Sequence, residues 1–184
     1  KPGNYHCATC SWLRNKKVLP TMHSRTITLT ALSLLLALWL PAAIADYETD
    51  EPVEFTLQQL GGGEISASDY RGEWVVVNYW ATWCKPCVKE MPELSELHDE
   101  FDGLTVLGLA FEDIEDSDFE AFLQKTPVSY PILKVDVFEP PEPFGAPRVL
   151  PTTIILDHEG LAVKAFLGPV TREDIEGYIE TVSE

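Results

Sequence analysis

Trp83-Cys84-Lys85-Pro86-Cys87 sits at a junction. The apolar run Trp74-Val75-Val76-Val77-Asn78-Tyr79-Trp80 leads into it, and a long amphipathic pattern from Val88 to Phe101 follows. A continuous apolar run of this length reads as a buried strand of a parallel sheet. Val88, Met91, Leu94, Leu97, His98 and Phe101 fall at helical spacing. A Cys-x-x-Cys pair between such a strand and such a helix is placed for redox work. The helix N-terminus carries partial positive charge and free N–H groups, which stabilise a thiolate there. Three residues make about one helical turn, so the two sulfurs can close a bridge with little backbone movement. Pro86 falls in that first turn, where a missing N–H costs little. A zinc site would need two further Cys or His ligands. The remaining cysteines are Cys7 and Cys10, and His98 and His158 stand apart. A purely structural bridge over so short a loop would constrain the unfolded chain little.

Further segments agree with this reading. Tyr79-Trp80-Ala81-Thr82-Trp83-Cys84-Lys85-Pro86-Cys87, followed by Glu90-Met91-Pro92, resembles the secreted TlpA/ResA/DsbE branch of the thioredoxin superfamily. Leu150-Pro151-Thr152-Thr153 before Ile154-Ile155-Leu156 matches a second family motif, and Asp157-His158-Glu159-Gly160 before Leu161 to Leu167 a third. The resemblance covers about residues 50 to 183. It implies a cis bond before Pro151, with Pro151 and Thr152 packed beside the cysteines. There Pro151 would block metal capture, and its backbone would pair with an extended substrate segment. The residues alone leave an ordinary trans proline open, since only about 5–6% of X-Pro bonds in folded proteins are cis.

The order of elements gives the fold class. Val53 to Leu57 and Glu64-Ile65 read as a short hairpin around Gly61-Gly62-Gly63. Val75 to Trp80 and Leu104 to Phe111 read as buried strands flanking the first helix, with Pro92 inside that helix and Gly103 ending the element. Ser117 is placed to cap a second helix, with Glu120 at the capping-box position and Phe119, Phe122 and Leu123 as its apolar face. Pro127 and Pro131 bound a loop before the run Ile132 to Val137, and Glu139 to Pro143 reads as a stiff acidic loop. Ile154 to Leu156 and Ala162 to Leu167 form an antiparallel pair. Thr171 and Asp174 start a last helix that turns Ile175, Tyr178, Ile179 and Val182 inward. This is an α/β thioredoxin-like sandwich: a central mixed sheet, helices on both faces and an N-terminal β-hairpin extension.

The N-terminal residues have a different character. Arg25 precedes an apolar stretch, Leu29 to Leu40, which leads to Pro41-Ala42-Ala43-Ile44-Ala45. That order predicts a secretory signal over 22–45, cut after Ala45. The alternative is an uncleaved anchor facing the periplasm, since Ile27 to Ala45 approaches the ~20 residues a membrane span needs. Residues 1–21 read as an upstream extension, and Cys7 and Cys10 lack the strand–helix context of the main pair. The domain proper is 46–184. Five of thirteen basic residues (Lys1, Arg14, Lys16, Lys17, Arg25) and none of thirty acidic residues precede Asp46. The domain therefore carries a net charge of −22. Such a surface repels nucleic acid and anionic lipid and favours basic or neutral partners.

Disulfide exchange needs an accessible acidic thiol and a partner that resolves the mixed disulfide. Cys84, at the helix tip, is expected as the nucleophile and Cys87, one turn in, as the resolving thiol. Lys85 either favours the thiolate or is an ordinary surface lysine, and Trp83 offers a flat apolar contact or simple packing. In thioredoxins the residue matching Asn78 is a buried aspartate, which Asn78 cannot replace as a proton acceptor. The cytochrome-maturation branch has a glutamate just after the next strand, and Glu112 matches it. Glu112 is thus a candidate base, or else one member of the solvated acidic loop Glu112 to Asp116. The expected function is exported thiol:disulfide oxidoreductase, working as a reductant on cysteines of exported proteins such as apocytochrome c. A membrane electron donor would supply it, and the redox-active disulfide would serve without another cofactor or a metal. A disulfide-forming oxidase of the same fold and a non-catalytic binding module remain open; a peroxidase fits the cysteine spacing less well.

Overall fold

The computed structural model describes residues 47–142 and 144–183. The signal, anchor and upstream-extension expectations, and Cys7 and Cys10, lie outside the described residues. The element order is β1 (Thr56–Gln58), β2 (Glu64–Ser66), a 3₁₀ turn (Ala67–Tyr70), β3 (Trp74–Trp80), α1 (Lys85–Glu100), β4 (Leu104–Ala110), α2 (Asp116–Leu123), β5 (Ile132–Lys134), β6 (Thr152–Leu156), β7 (Ala162–Leu167) and α3 (Arg172–Ser183). Five strands form one mixed sheet in the order β5-β4-β3-β6-β7, and β1-β2 form a separate antiparallel hairpin. The β3–β4 and β4–β5 pairs are parallel, while β6 is antiparallel to both β3 and β7. This is the thioredoxin-like sandwich with its hairpin extension.

Every residue of β3 and β4 is buried, as expected of central strands covered on both sides. Alternation along β3 divides the core. Val76 and Trp80 join the buried residues of all three α-helices, including Met91, Leu94, Phe119, Ile175 and Ile179. Val75, Val77 and Tyr79 face the other way, with Phe55 of the N-terminal segment, Ala67 of the 3₁₀ turn and Phe144. Burying each large apolar side chain contributes about 1.5–3 kcal/mol. β3 supplies such side chains to both faces.

An arginine fastens the N-terminal segment. Arg71 donates from Nη1 to Ala67 O (3.1 Å) and from Nη2 to Val53 O (2.8 Å), and pairs with Glu54 at 2.7 Å. Val53 N–H donates to Gly160 O (2.8 Å), and Thr49 N–H donates to Ala162 O (3.0 Å). Gly160 is required there. Its φ is +82°, and a Cβ would fall 2.2 Å from the Arg71 guanidinium.

Three local expectations need correction. α2 begins at Asp116 with Glu115 as its N-cap, so Ser117 lies inside the first turn and caps nothing. Acidic side chains at that end complement the helix dipole without a hydroxyl cap. The first strand is Thr56–Gln58, because Val53 and Phe55 pack into the core while Val53 bonds to Gly160 outside the ladder. Val182 is 50% exposed, since only Ile175 and Ile179 of α3 reach full burial. The cap of α3 is as expected: Thr171 N–H donates to Asp174 Oδ2 (2.9 Å), and Asp174 N–H donates to Thr171 Oγ1 (3.2 Å). Pro92 lies inside α1, which continues to Glu100 around it.

Gly108, in β4, is a second glycine fixed by space. A Cβ there would lie 2.6 Å from Ile132 Cδ1, 2.9 Å from Tyr130 Cε2 and 3.2 Å from Trp80 Nε1. Gly108→Ala should therefore overpack the core and cost about 1–3 kcal/mol. Urea unfolding should show a lower midpoint at unchanged slope; an unchanged midpoint would show that the neighbours yield freely.

Candidate active site

The two cysteines come together through the strand-to-helix turn. β3 ends at Trp80, Cys84 N–H donates to Ala81 O (3.1 Å), and Cys84 is the N-cap of α1. Its sulfur accepts from Cys87 N–H at 3.3 Å, and Val88 N–H donates to Cys84 O at 3.1 Å. Cys84 and Cys87 are joined as a disulfide with Cα atoms 5.3 Å apart. Lys85 and Pro86 occupy the first two helical positions, where the helix has N–H groups to spare.

Exposure is unequal. Cys87 is fully buried and Cys84 is 4% exposed, so Cys84 is less open than the sequence led one to expect. Its sulfur is bonded to Cys87 and tucked against the helix end. The exposed apolar group at the site is Trp83, at 66%. Val149, two residues before Pro151, is also exposed. The Leu150–Pro151 bond is cis. Thr152 pairs with Tyr79 across the sheet, so Pro151 lies at the end of β3 that leads into the cysteine turn. The Thr152 hydroxyl donates to Val149 O (2.7 Å).

Glu112 is tied to the same turn. Its Oε2 accepts from Thr82 N–H (2.9 Å) and from Thr82 Oγ1 (2.8 Å), two residues before Cys84. It also lines an open groove of about 490 Å³ with Asp113, Asp136 and Glu139, beside the exposed Phe138.

Sequence reasoning missed a second carboxylate. Glu90 lies three residues beyond Cys87 on α1, a rise of about 4.5 Å along the helix. It belongs to the helix's buried face with Cys87, Met91, Leu94 and Leu97. Only 4% of it is exposed. Asn78 Nδ2 donates to Glu90 Oε1 (2.8 Å) and to Thr153 Oγ1 (3.0 Å), and Val170 N–H donates to Glu90 Oε2 (3.1 Å). Burial pushes the Glu90 carboxyl up to about 7, against the pull of the Val170 and Asn78 hydrogen bonds and with a further push from Glu93. The signal available in the sequence was Asn78 itself, a polar residue in an otherwise apolar strand that must find a buried partner.

The chain as a whole is similar to known proteins. A family model described as the AhpC/TSA family matches residues 49–165. The chain belongs to that family, as a thiol-disulfide oxidoreductase of ResA type. It is 35% identical over 133 residues to the thiol-disulfide oxidoreductase ResA of Geobacillus kaustophilus, covering 70% of this chain and 74% of the relative. It is 34% identical over 132 residues to the thioredoxin-like protein YneN of Bacillus subtilis, covering 70% and 76%. Among solved structures, a DsbF homologue from Corynebacterium diphtheriae superposes with a TM-score of 0.62 at 30% identity, covering 77% of this chain and 96% of that one. A secreted thiol-disulfide isomerase from Corynebacterium glutamicum superposes with a TM-score of 0.62 at 27% identity, covering 79% and 97%.

A carboxyl raised on folding makes stability depend on pH in a definite sense. Between its unfolded value near 4.5 and its folded value near 7, the folded state holds a proton that the unfolded state has lost. Stability is therefore fully present at low pH and falls as pH rises through that window, by on the order of 3 kcal/mol. Urea unfolding of the oxidised protein at pH 5 and pH 7.5 should show this component, and Glu90→Gln should remove it. A difference that persists unchanged in Glu90→Gln would assign it to other groups.

Proposed function

We propose that this oxidoreductase works outside the cytoplasm as a reductant of disulfides in exported proteins, with apocytochrome c among the candidate targets. The observation that carries the thiol-exchange step is Glu90, a buried carboxylate one turn beyond the resolving cysteine and poised near neutrality. In the reduced enzyme the Cys84 thiolate attacks one sulfur of the substrate disulfide. That S–S bond breaks, the first substrate thiolate leaves, and a Cys84–substrate disulfide forms. Cys87 then gives its proton to Glu90 and attacks the Cys84 sulfur, releasing the second substrate thiolate. Two electrons pass to the substrate, and the Cys84–Cys87 bond closes. The cysteine pair carries these electrons without another cofactor or a metal. A membrane protein of the exporting compartment would supply them again.

A carboxylate that accepts a proton near neutral pH is suited to this second step. Glu112 is the other candidate acceptor, held on the turn before Cys84 by Thr82. Trp83 and Val149 offer an apolar landing surface around the bond, and the backbone at Pro151 offers an edge for an extended segment. The acidic groove beside Glu112 favours a substrate with basic residues near its cysteines. Among the described residues no helix is long and apolar enough to cross a membrane. An uncleaved anchor ahead of the domain and a cleaved signal are both compatible with the described residues.

Reduced Cys87→Ser should accumulate a mixed disulfide through Cys84 with a cystine-containing peptide, visible on non-reducing gels and by mass. Cys84→Ser should not, and the opposite pattern would reverse the roles. Equilibration with dithiothreitol or glutathione decides direction. A potential near or below about −270 mV fits a reductant, whereas one near −120 mV marks an oxidase and overturns the proposal.

Glu90→Gln should slow reduction of that peptide at pH 7 by about 10²-fold. Glu112→Gln should change it by less than Glu90→Gln does. The reverse ranking would make Glu112 the acceptor.

A further inference from the structure

Among the described residues, three buried side-chain polar atoms have no protein hydrogen-bond partner: Asn78 Oδ1, Trp80 Nε1 and the Tyr130 hydroxyl. Buried polar atoms are rarely left unmatched, because each costs about 1–3 kcal/mol when unpaired. These three belong to one neighbourhood. Asn78 and Trp80 are two residues apart on β3 and so point to the same face of the sheet. Asn78 is in register with Gly108 of β4. The place where Gly108 lacks a Cβ is bordered by Tyr130 Cε2 at 2.9 Å and Trp80 Nε1 at 3.2 Å. Glu90 covers Asn78 from above at 2.8 Å. Tyr130 also feels the Glu90 charge, which adds to burial in pushing its hydroxyl up.

Tyr130 is held there by its loop. Ser129 N–H donates to Ser95 Oγ (3.4 Å), Ser129 Oγ donates to Ser95 O (3.3 Å), and Gly108 N–H donates to Pro131 O (2.9 Å). The loop before β5 is thus pinned to both α1 and β4, with the Tyr130 ring between them.

We propose that Glu90, Asn78, Trp80 and Tyr130 form a built site for one internal water molecule, and that Tyr130 is the positioning residue through which this water holds the Glu90 carboxylate. The donor and acceptor inventory closes. The water accepts from the Trp80 N–H and the Tyr130 O–H, and donates to Asn78 Oδ1 and to a Glu90 oxygen. Buried waters make about three hydrogen bonds, and four is the upper end of their range. The Tyr130 proton strengthens the water's donation to the carboxylate and so favours its ionised form. The other groups facing Glu90 are Asn78 of β3, Val170 N–H ahead of α3, and Glu93 and Cys87 of α1. Among these Glu93 carries the only charge, and its effect opposes that of the water.

The functional meaning of this site rests on the reading of Glu90 as proton acceptor, but the water itself is tested without turnover. In oxidised protein with ¹³C-labelled glutamate, the Glu90 carboxyl is titrated directly by magnetic resonance, assigned with Glu90→Gln. The Trp80 indole proton is examined for magnetisation transfer from a long-lived water. The wild type should show that transfer, and Tyr130→Phe should weaken it. The same variant should raise the Glu90 midpoint, with an acid dissociation constant about tenfold lower. An indole proton that sees no long-lived water, or a Glu90 midpoint that stays or falls in Tyr130→Phe, overturns the site. If Glu90→Gln leaves disulfide exchange intact while Tyr130→Phe shifts the titration as expected, the catalytic reading fails and the water site stands.

Discussion

A carboxylate buried beneath a helix must be matched on every side, and meeting that demand at Glu90 ties the active end of this molecule together. Asn78 reaches it from β3, Val170 N–H from the segment entering α3, and Thr153 of β6 holds Asn78 in place. Two segments far apart in the chain, β3 and the loop entering α3, therefore meet at one side chain of α1, with β6 one hydrogen bond behind them. Truncating one partner would leave charge or amide unpaired in a dry place, which costs more than the bonds return. Cys87 and Glu90 share the same buried stripe of the same helix.

Burial also sets the chemistry. The two hydrogen bonds to Glu90 favour its charge, yet desolvation outweighs them and leaves the group close to neutrality in its proton affinity. An exposed glutamate would be ionised throughout the physiological range and a poor partner for a thiol. Glu112 has a different setting. It is anchored by Thr82 at the edge of an open acidic groove, where its carboxylate braces the approach to Cys84.

Much of the fold was legible because it follows from patterns that packing enforces. The run from Trp74 to Trp80 reads as a central strand, and the Cys-x-x-Cys position followed from where that run stops. The Thr171–Asp174 cap was readable as a local chemical unit. Ser117 was misread because an acidic first turn can start a helix without a hydroxyl cap. Val182 fits the helical period of α3, but the core ends before it. Glu90 was missed for a deeper reason. On a helical wheel it is merely one charged residue beside Met91, and its burial depends on Asn78, Thr153 and Val170, whose proximity only the tertiary fold creates. Tyr130 and Gly108 are of the same kind: the need for a glycine appears once the ring and the indole are seen to converge on it.

The Arg71 clasp has a mechanical meaning. The segment from Thr49 to Phe55 is fixed at Ala162, at Gly160 and, through the guanidinium, at Ala67. A pull transmitted along the chain from the Tyr47 side would load these bonds first, on the flank of the domain formed by β7 and the β6–β7 turn. The helix cap that holds the cysteines shares none of those hydrogen bonds. Tension applied at Tyr47 would therefore be spent at the clasp, and the geometry of the two sulfurs would be insulated from it.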